Sequence, residues 1–211
     1  AIREQMRQEA EERKALEAER KKVEQEESKY HSEIEKLKLQ LAEAKDDELE
    51  KLNARILALQ SQLADVIVKK EEISTLANGK AGNVYVISNL GSFGENVFKI
   101  GMTRRLNPQD RVDELGNASV PFRFDVHSFI FSNDAVGLEN KLHTLLDDRR
   151  VNKVNMRKEF FNISLDELEQ IVTETEPTAE FNRTMAAEEF RQSQSTNENY
   201  SSNFNYDEDD E

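Results

Sequence analysis

The sequence has no cysteine. That absence removes disulfides, thiolate metal sites and thiol nucleophiles together. No apolar run approaches the roughly 20 residues of a membrane span, and no secretory signal begins the chain. A Gly-rich phosphate loop followed by Lys-Ser/Thr is also missing, which sets NTPases aside. There is no His-x-x-x-His pair, so the few histidines do not suggest a zinc site. Basic residues are outnumbered, and the 211 residues carry a formal net charge of −14. Residues 176–211 alone hold 10 acids against 2 bases. Overall acidity therefore says little about the middle of the chain. A nucleic-acid site there is not excluded, because binding needs a local basic face rather than a basic chain.

Residues 1–76 contain neither Pro nor Gly. Leu16, Val23, Tyr30, Leu37 and Ala44 recur every seventh residue, and Ile34 and Leu41 add the alternate heptad position. After a one-residue phase slip the stripe resumes at Leu49, Leu52, Ile56, Leu59, Leu63 and Val66. An apolar stripe in a charged background predicts one long helix that buries its seam against another helix. The slip predicts a local change of supercoil. Self-association into a homodimer or higher oligomer is the expectation. A single solvated helix, or a seam packed on a missing part of the protein, is the alternative. Arg13 and Arg20 thin the seam at its start. The chain begins at Ala1 inside this pattern and without Met. It reads as a piece of a longer protein, cytoplasmic, with an upstream membrane anchor left open.

Four regions follow: a coiled coil over residues 1–76, a linker over 77–82, a compact domain over 83–175, and a disordered acidic tail over 176–211. The compact domain is predicted to be α+β, a small three-stranded antiparallel sheet flanked by helices. Residues 84–88 read as a buried strand. Residues 90–96, with Gly91 and Gly94, read as a hairpin loop, and residues 97–101 as the second strand. Asn107 caps a helix whose first position is Pro108 and which runs to about Leu115. Residues 122–131 alternate as a third strand. Ser132-Asn133-Asp134 caps a helix to about Asp147. Glu159-Phe160-Phe161-Asn162-Ile163 is a short extended segment. Ser164 and Glu167 form a capping box for a closing helix. From Pro177 on, aliphatic residues nearly vanish, which predicts a segment unable to bury enough to order itself. Solubilising disorder is the expectation, with an interaction tail as the alternative.

The domain collects residues suited to metal-assisted cleavage of a phosphodiester: Tyr85 on one strand, Lys99 and Gly101 ending the next, Arg111 and Glu139 on later helices. The parts Val84-Tyr85-Val86, Lys99-Ile100-Gly101-Met102-Thr103, Arg111, Leu138-Glu139-Asn140-Lys141-Leu142-His143 and Lys158-Glu159-Phe160-Phe161, in this order, resemble the GIY-YIG nuclease superfamily. The resemblance is to its phage and bacterial branch and covers about residues 82–173. Asn83 stands where the family name has its first Gly, and Lys99 where it has its second Tyr. A charged coiled coil before such a domain is similar to proteins of that branch associated with phage or phage defence.

The resemblance implies a metal-dependent DNA endonuclease using a single Mg²⁺ or Mn²⁺ held by Glu139. Hydrolysis needs an activated water, charge neutralised on the phosphate and a stabilised leaving oxygen. Tyr85 is expected to be the general base or to orient the water, with Lys99 lowering its pKa or binding phosphate. Arg111 offers a guanidinium fork to phosphate, against the ordinary alternative of a pair with Asp110 or Glu114. Gly101 lets the backbone come close. His143, one turn after Glu139, would reach phosphate or the leaving group, and His127 is a weaker candidate for the cleft. Arg104, Arg105, Arg149, Arg150, Lys153, Arg157 and Lys158 would track phosphates, unless they form a solvated mixed-charge loop with Asp147, Asp148 and Glu159. Asn155 lies in the same loop. Two further alternatives remain: a degenerate domain that holds DNA without cutting it, and a structural protein in which the coiled coil is the working part.

Overall fold

The computed structural model describes residues 2–196. The chain opens with two helices, α1 (Ile2–Glu43) and α2 (Asp46–Ala77). The predicted single helix is corrected here: the chain turns at Ala44-Lys45 and α2 runs back along α1. The turn falls at the phase slip. Leu16 and Val23 of α1 meet Ile73 and Leu76 of α2. Nearer the turn, Ile34 packs with Ile56, Leu59 and Leu63. Lys69 and Lys70 of α2 reach Glu19 and Glu27 of α1 at 2.8 and 2.6 Å, so charges flank the seam as in any antiparallel helix pair. The apolar stripe expected to face a second chain is thus covered by the chain's own return helix. Among the described residues no helix is long and apolar enough to cross a membrane.

The α+β domain follows as β1 (Gly82–Ser88), α3 (Leu90–Phe93), β2 (Val97–Thr103), α4 (Gln109–Ser119), β3 (Asp125–Ser132), α5 (Ala135–Leu145), β4 (Phe160–Asn162) and α6 (Leu165–Thr175). The sheet is antiparallel with order β3-β1-β2-β4. It therefore has four strands rather than three, because the short extended segment around Phe160 pairs with β2 beside Val97, Phe98 and Lys99. The hairpin loop is one helical turn, its start capped by Asn89, whose side chain accepts from Ser92 N. Asn107 Oδ1 accepts from Gln109 N, and α4 runs on past Leu115. Asp134 and Ser164 cap α5 and α6 as their sequences predict.

Residues opposite one another in an antiparallel pair share a face. Asn83, Tyr85 and Ile87 therefore share a face with Thr103, Gly101 and Lys99. That face packs Tyr85 and Ile87 against Val112 of α4. The other face packs Val84, Val86, Phe98 and Ile100 against Leu142, Leu168 and Val172 of α5 and α6. The sheet is thus covered on both sides, and the central β1–β2 pair is the most buried part of the domain.

The tail needs a correction as far as it is described. Residues 177–187 cross β3 as a strap, with Asn182 N donating to His127 O at 2.7 Å and Ser128 Oγ to Glu180 O at 2.7 Å. Ala179, Phe181 and Met185 add to the core. A last helix, α7 (Glu188–Ser195), brings Phe190 onto Phe122. The strap also shields the backbone of an outer strand, which would otherwise be open to pairing. The acidic run from Asp207 to Glu211 lies outside the described residues.

Candidate active site

The β1–β2 pairing places Tyr85 directly opposite Gly101. The phenol lies across the glycine: a Cβ at position 101 would sit 2.4 Å from Tyr85 Oη and 2.7 Å from Cζ. Gly101 is thus required by its cross-strand neighbour, a more specific reason than close approach to substrate. Gly101→Ala is expected to displace the buried phenol and cost about 1–3 kcal/mol by overpacking. Thermal denaturation measures that cost, and an unchanged melting temperature would mean the ring moves freely.

Lys99 lies two residues earlier on the same face and is 8 % exposed. Its ammonium is 2.8 Å from Glu159 Oε2, and 6.0 and 5.5 Å from the ring centres of Tyr85 and Phe160. Burial opposes the Lys99 charge, but the fields of Tyr85 and Glu159 outweigh it and raise its pKa. Tyr85 is pushed above the ordinary phenol value by burial, which Lys99 and Arg111 only partly offset. Lys99 is paired with Glu159 and stays charged; its field lowers the Tyr85 pKa as expected from the sequence, but burial is the larger effect.

Glu139 comes from α5 and accepts a hydrogen bond from Met102 N at the end of β2. Burial and the neighbouring Glu159 carboxylate raise its pKa to about 7, against the opposing pull of Lys99 and Arg104. Among the described residues no cationic side chain is bonded to it.

Arg111 approaches from α4 and is felt electrostatically at Tyr85. Its Nη1 donates to Glu114 Oε2 at 2.7 Å, the ordinary pair, and Arg105 Nη2 shares that oxygen at 2.8 Å. A further carboxylate arrives from the helical hairpin. Thr103 Oγ1 donates to Glu12 Oε1 at 3.0 Å, and the charge of Glu12 also acts on Arg111. The front of α1 therefore stands beside the phosphate-binding end that the sequence suggested.

Both candidate histidines have structural partners. His143 Nε2 donates to Ile100 O at 2.9 Å, and its ring lies 5.2 Å from Phe161. Burial keeps its pKa below the usual histidine range despite that carbonyl. That bond ties α5 to β2 immediately before Gly101. His127 bonds Asn182 O at 2.6 Å and Ser88 Oγ at 2.8 Å. It stacks near Phe98 and Phe181, on the face opposite Tyr85, and so holds the strap instead of entering the cleft.

The basic residues divide. Arg150 is 8 % exposed and tied to Asp147 Oδ1 and Met156 O, which removes it from the phosphate surface. Arg104 donates to Gly79 O, and Arg149 approaches Asp148 and Glu167. Lys153, Arg157 and Lys158 are exposed on the loop before β4. Glu159 and Glu12 were not singled out from the sequence as site residues. Their partners lie 60 and 91 positions away, and no local pattern marks them.

The arrangement gathers Tyr85, Lys99, Glu139, Glu159 and Arg111 around the Gly101–Thr103 end of the central strands. Among the described residues no group of three or more metal-ligating side chains is present. No curated protein and no solved structure matches this chain. The resemblance to the GIY-YIG superfamily is corrected by the family comparison, which finds a different family. Residues 82–176 match the T5orf172 domain, a nuclease-like, DNA-binding domain family of phage-related proteins.

Proposed function

We propose that this domain is a metal-dependent DNA endonuclease whose reaction centre lies at the Gly101–Thr103 end of β1 and β2. The observation that carries the reading is Glu139, a half-buried carboxylate with a pKa raised to about 7 and a second carboxylate, Glu159, beside it. Of the two, Glu159 has a cation bonded to it and, among the described residues, Glu139 has none. That donor set suits one hard divalent ion, Mg²⁺ or Mn²⁺, completed by water and phosphate oxygens, rather than a closed protein cage. When bound, such an ion supplies charge neutralisation on the phosphate and a more acidic water.

The chain's own residues do the rest. Tyr85 stays protonated at neutral pH, so it orients the attacking water through its hydroxyl. Arg111 is half-buried and already poised on an oxygen anion, Glu114, which a phosphate oxygen can replace in the same fork geometry. Lys99 remains on Glu159 and keeps a positive field beside the phenol. His143 fixes the strand that carries Gly101.

A second reading, DNA binding without cutting, draws support from the same chemistry. The Tyr85 pKa is raised and the Lys99 charge is taken up by Glu159, which leaves no evident base. Supercoiled plasmid separates the two. Nicking that needs Mg²⁺ or Mn²⁺ and falls about a hundredfold or more in Tyr85→Phe supports the enzyme. DNA binding by the wild type without nicking supports the binding module.

A further inference from the structure

Apolar side chains on a folded domain normally point inward, and single exceptions carry no meaning. The loop over residues 151–158 has three. Val154 is 97 % exposed, Val151 55 % and Met156 51 %. The loop is not slack. Val151 N bonds Phe160 O at 2.9 Å, closing its base. Arg150 holds Met156 O at 3.0 Å and lies 5.0 Å over the Phe161 ring. Asn152 Oδ1 accepts from Val154 N and Asn155 N, and Asn155 accepts from Arg157 N and Lys158 N. The backbone is therefore built to hold Val154 out in water.

The neighbours are cationic. Lys153, Arg157 and Lys158 are exposed, and among the described residues their side chains have no hydrogen-bond or ion-pair partner. Most other arginines of the domain face a carboxylate, as Arg105, Arg111, Arg123, Arg149 and Arg150 do. In a chain of net charge −14 this loop is a local exception.

Its direction matters too. β4 is antiparallel to β2, with Phe160 opposite Lys99. Going back from Phe160, Glu159 O meets Ile100 N at 3.2 Å, so the loop heads toward the Gly101–Thr103 end. That is the end where Tyr85 and Glu139 converge. A rigid tip with an apolar point and flanking free cations, next to a phosphodiester site, has the chemistry of a side chain that enters between base pairs while its neighbours hold phosphates. An acidic protein would satisfy the cations without needing Val154. A membrane would need more apolar area than two valines and one methionine supply.

We propose that residues 151–158 form a wedge that enters duplex DNA beside the reaction centre. Val154 inserts at a base step, Met156 supports it, and Lys153, Arg157 and Lys158 grip the flanking phosphates. This inference rests on the DNA-binding reading above.

The test uses the full chain without divalent metal and duplexes carrying 2-aminopurine, whose fluorescence rises on unstacking. Wild type is expected to raise the fluorescence on binding. Val154→Ser should abolish the rise and weaken binding about tenfold, as expected for losing a buried branched side chain, with an unchanged salt dependence. Arg157→Ala should keep the rise but lower the salt slope by about one. Val154 touches no core residue, so its replacement leaves the fold intact. Equal affinity and an equal fluorescence rise in Val154→Ser would overturn the wedge and leave the DNA-binding reading standing. No binding of any duplex by the wild type would overturn both.

Discussion

Glu139→Gln is expected to stop metal-dependent nicking and, in the same metal-free protein at pH 8, to make the fold more stable. The two effects come from one cause. The folded protein holds the Glu139 proton up to about pH 7, while the ordinary carboxyl releases it near 4.5. The folded state thus binds more protons between those values, so the stabilising contribution of this group is complete below 4.5 and is lost as pH rises through 7. Above pH 7 the native state carries a poorly solvated charge near Glu159. The shift corresponds to about 3 kcal/mol at most, and solvent screening reduces it to about 1–2 kcal/mol. Glutamine keeps an oxygen for Met102 N and carries no charge. A melting temperature that falls with pH between 5 and 8 in the wild type, and stays flatter and higher in Glu139→Gln, is the expected result. Added Mg²⁺ should stabilise only the wild type, and increasingly so as pH rises through 7, because the ligand must be deprotonated. Nicking at the wild-type rate by Glu139→Gln would remove this residue from the reaction.

The second large effect concerns Lys99 and Glu159. Lys99→Met leaves Glu159, whose side chain is only 29 % exposed, facing Glu139 without its cation. Breaking a buried pair from one side costs about 3 kcal/mol or more. It also pushes the Glu139 proton affinity higher still. Adding Glu159→Gln removes the orphaned charge, so the double variant should recover most of the lost stability in urea denaturation. Nicking tells whether the pair has a further use. If Lys99 supplies a field that the reaction needs, the double variant is stable and inactive. If nicking returns together with stability, Lys99 acts only as the partner of Glu159.

The pairing of Tyr85 with Gly101 was legible because two strands with a short connection fix that register, whereas Glu139 stood out only through the motif resemblance. The helical hairpin was not legible. A seam that pairs with its own return helix and one that pairs with another chain use the same heptad spacing. With no Gly or Pro at Ala44-Lys45, the turn left only the phase slip as a trace. The fourth strand is three residues long and was legible only as an extended segment. The strap leaves little trace in the sequence for a different reason. Ala179, Phe181, Met185 and Phe190 are anchors without a period, set in a polar background, and composition averages them away. His143 held a motif-like position, and its bond to the Ile100 carbonyl, 43 residues away, left no local trace in the sequence.

The strap has a consequence for how the protein is made. Synthesis proceeds from the N-terminus, and domains generally fold as their residues emerge. The family match ends at residue 176, but His127 O of β3 accepts from Asn182 N, Ser128 Oγ donates to Glu180 O, Asp125 accepts from Ala187 N, and Phe122 meets the ring of Phe190. A nascent chain that has just completed the matched region therefore still shows the backbone of an outer strand and one face of His127 to its surroundings. The residues that cover this edge are thus the last described part of the domain to be synthesised.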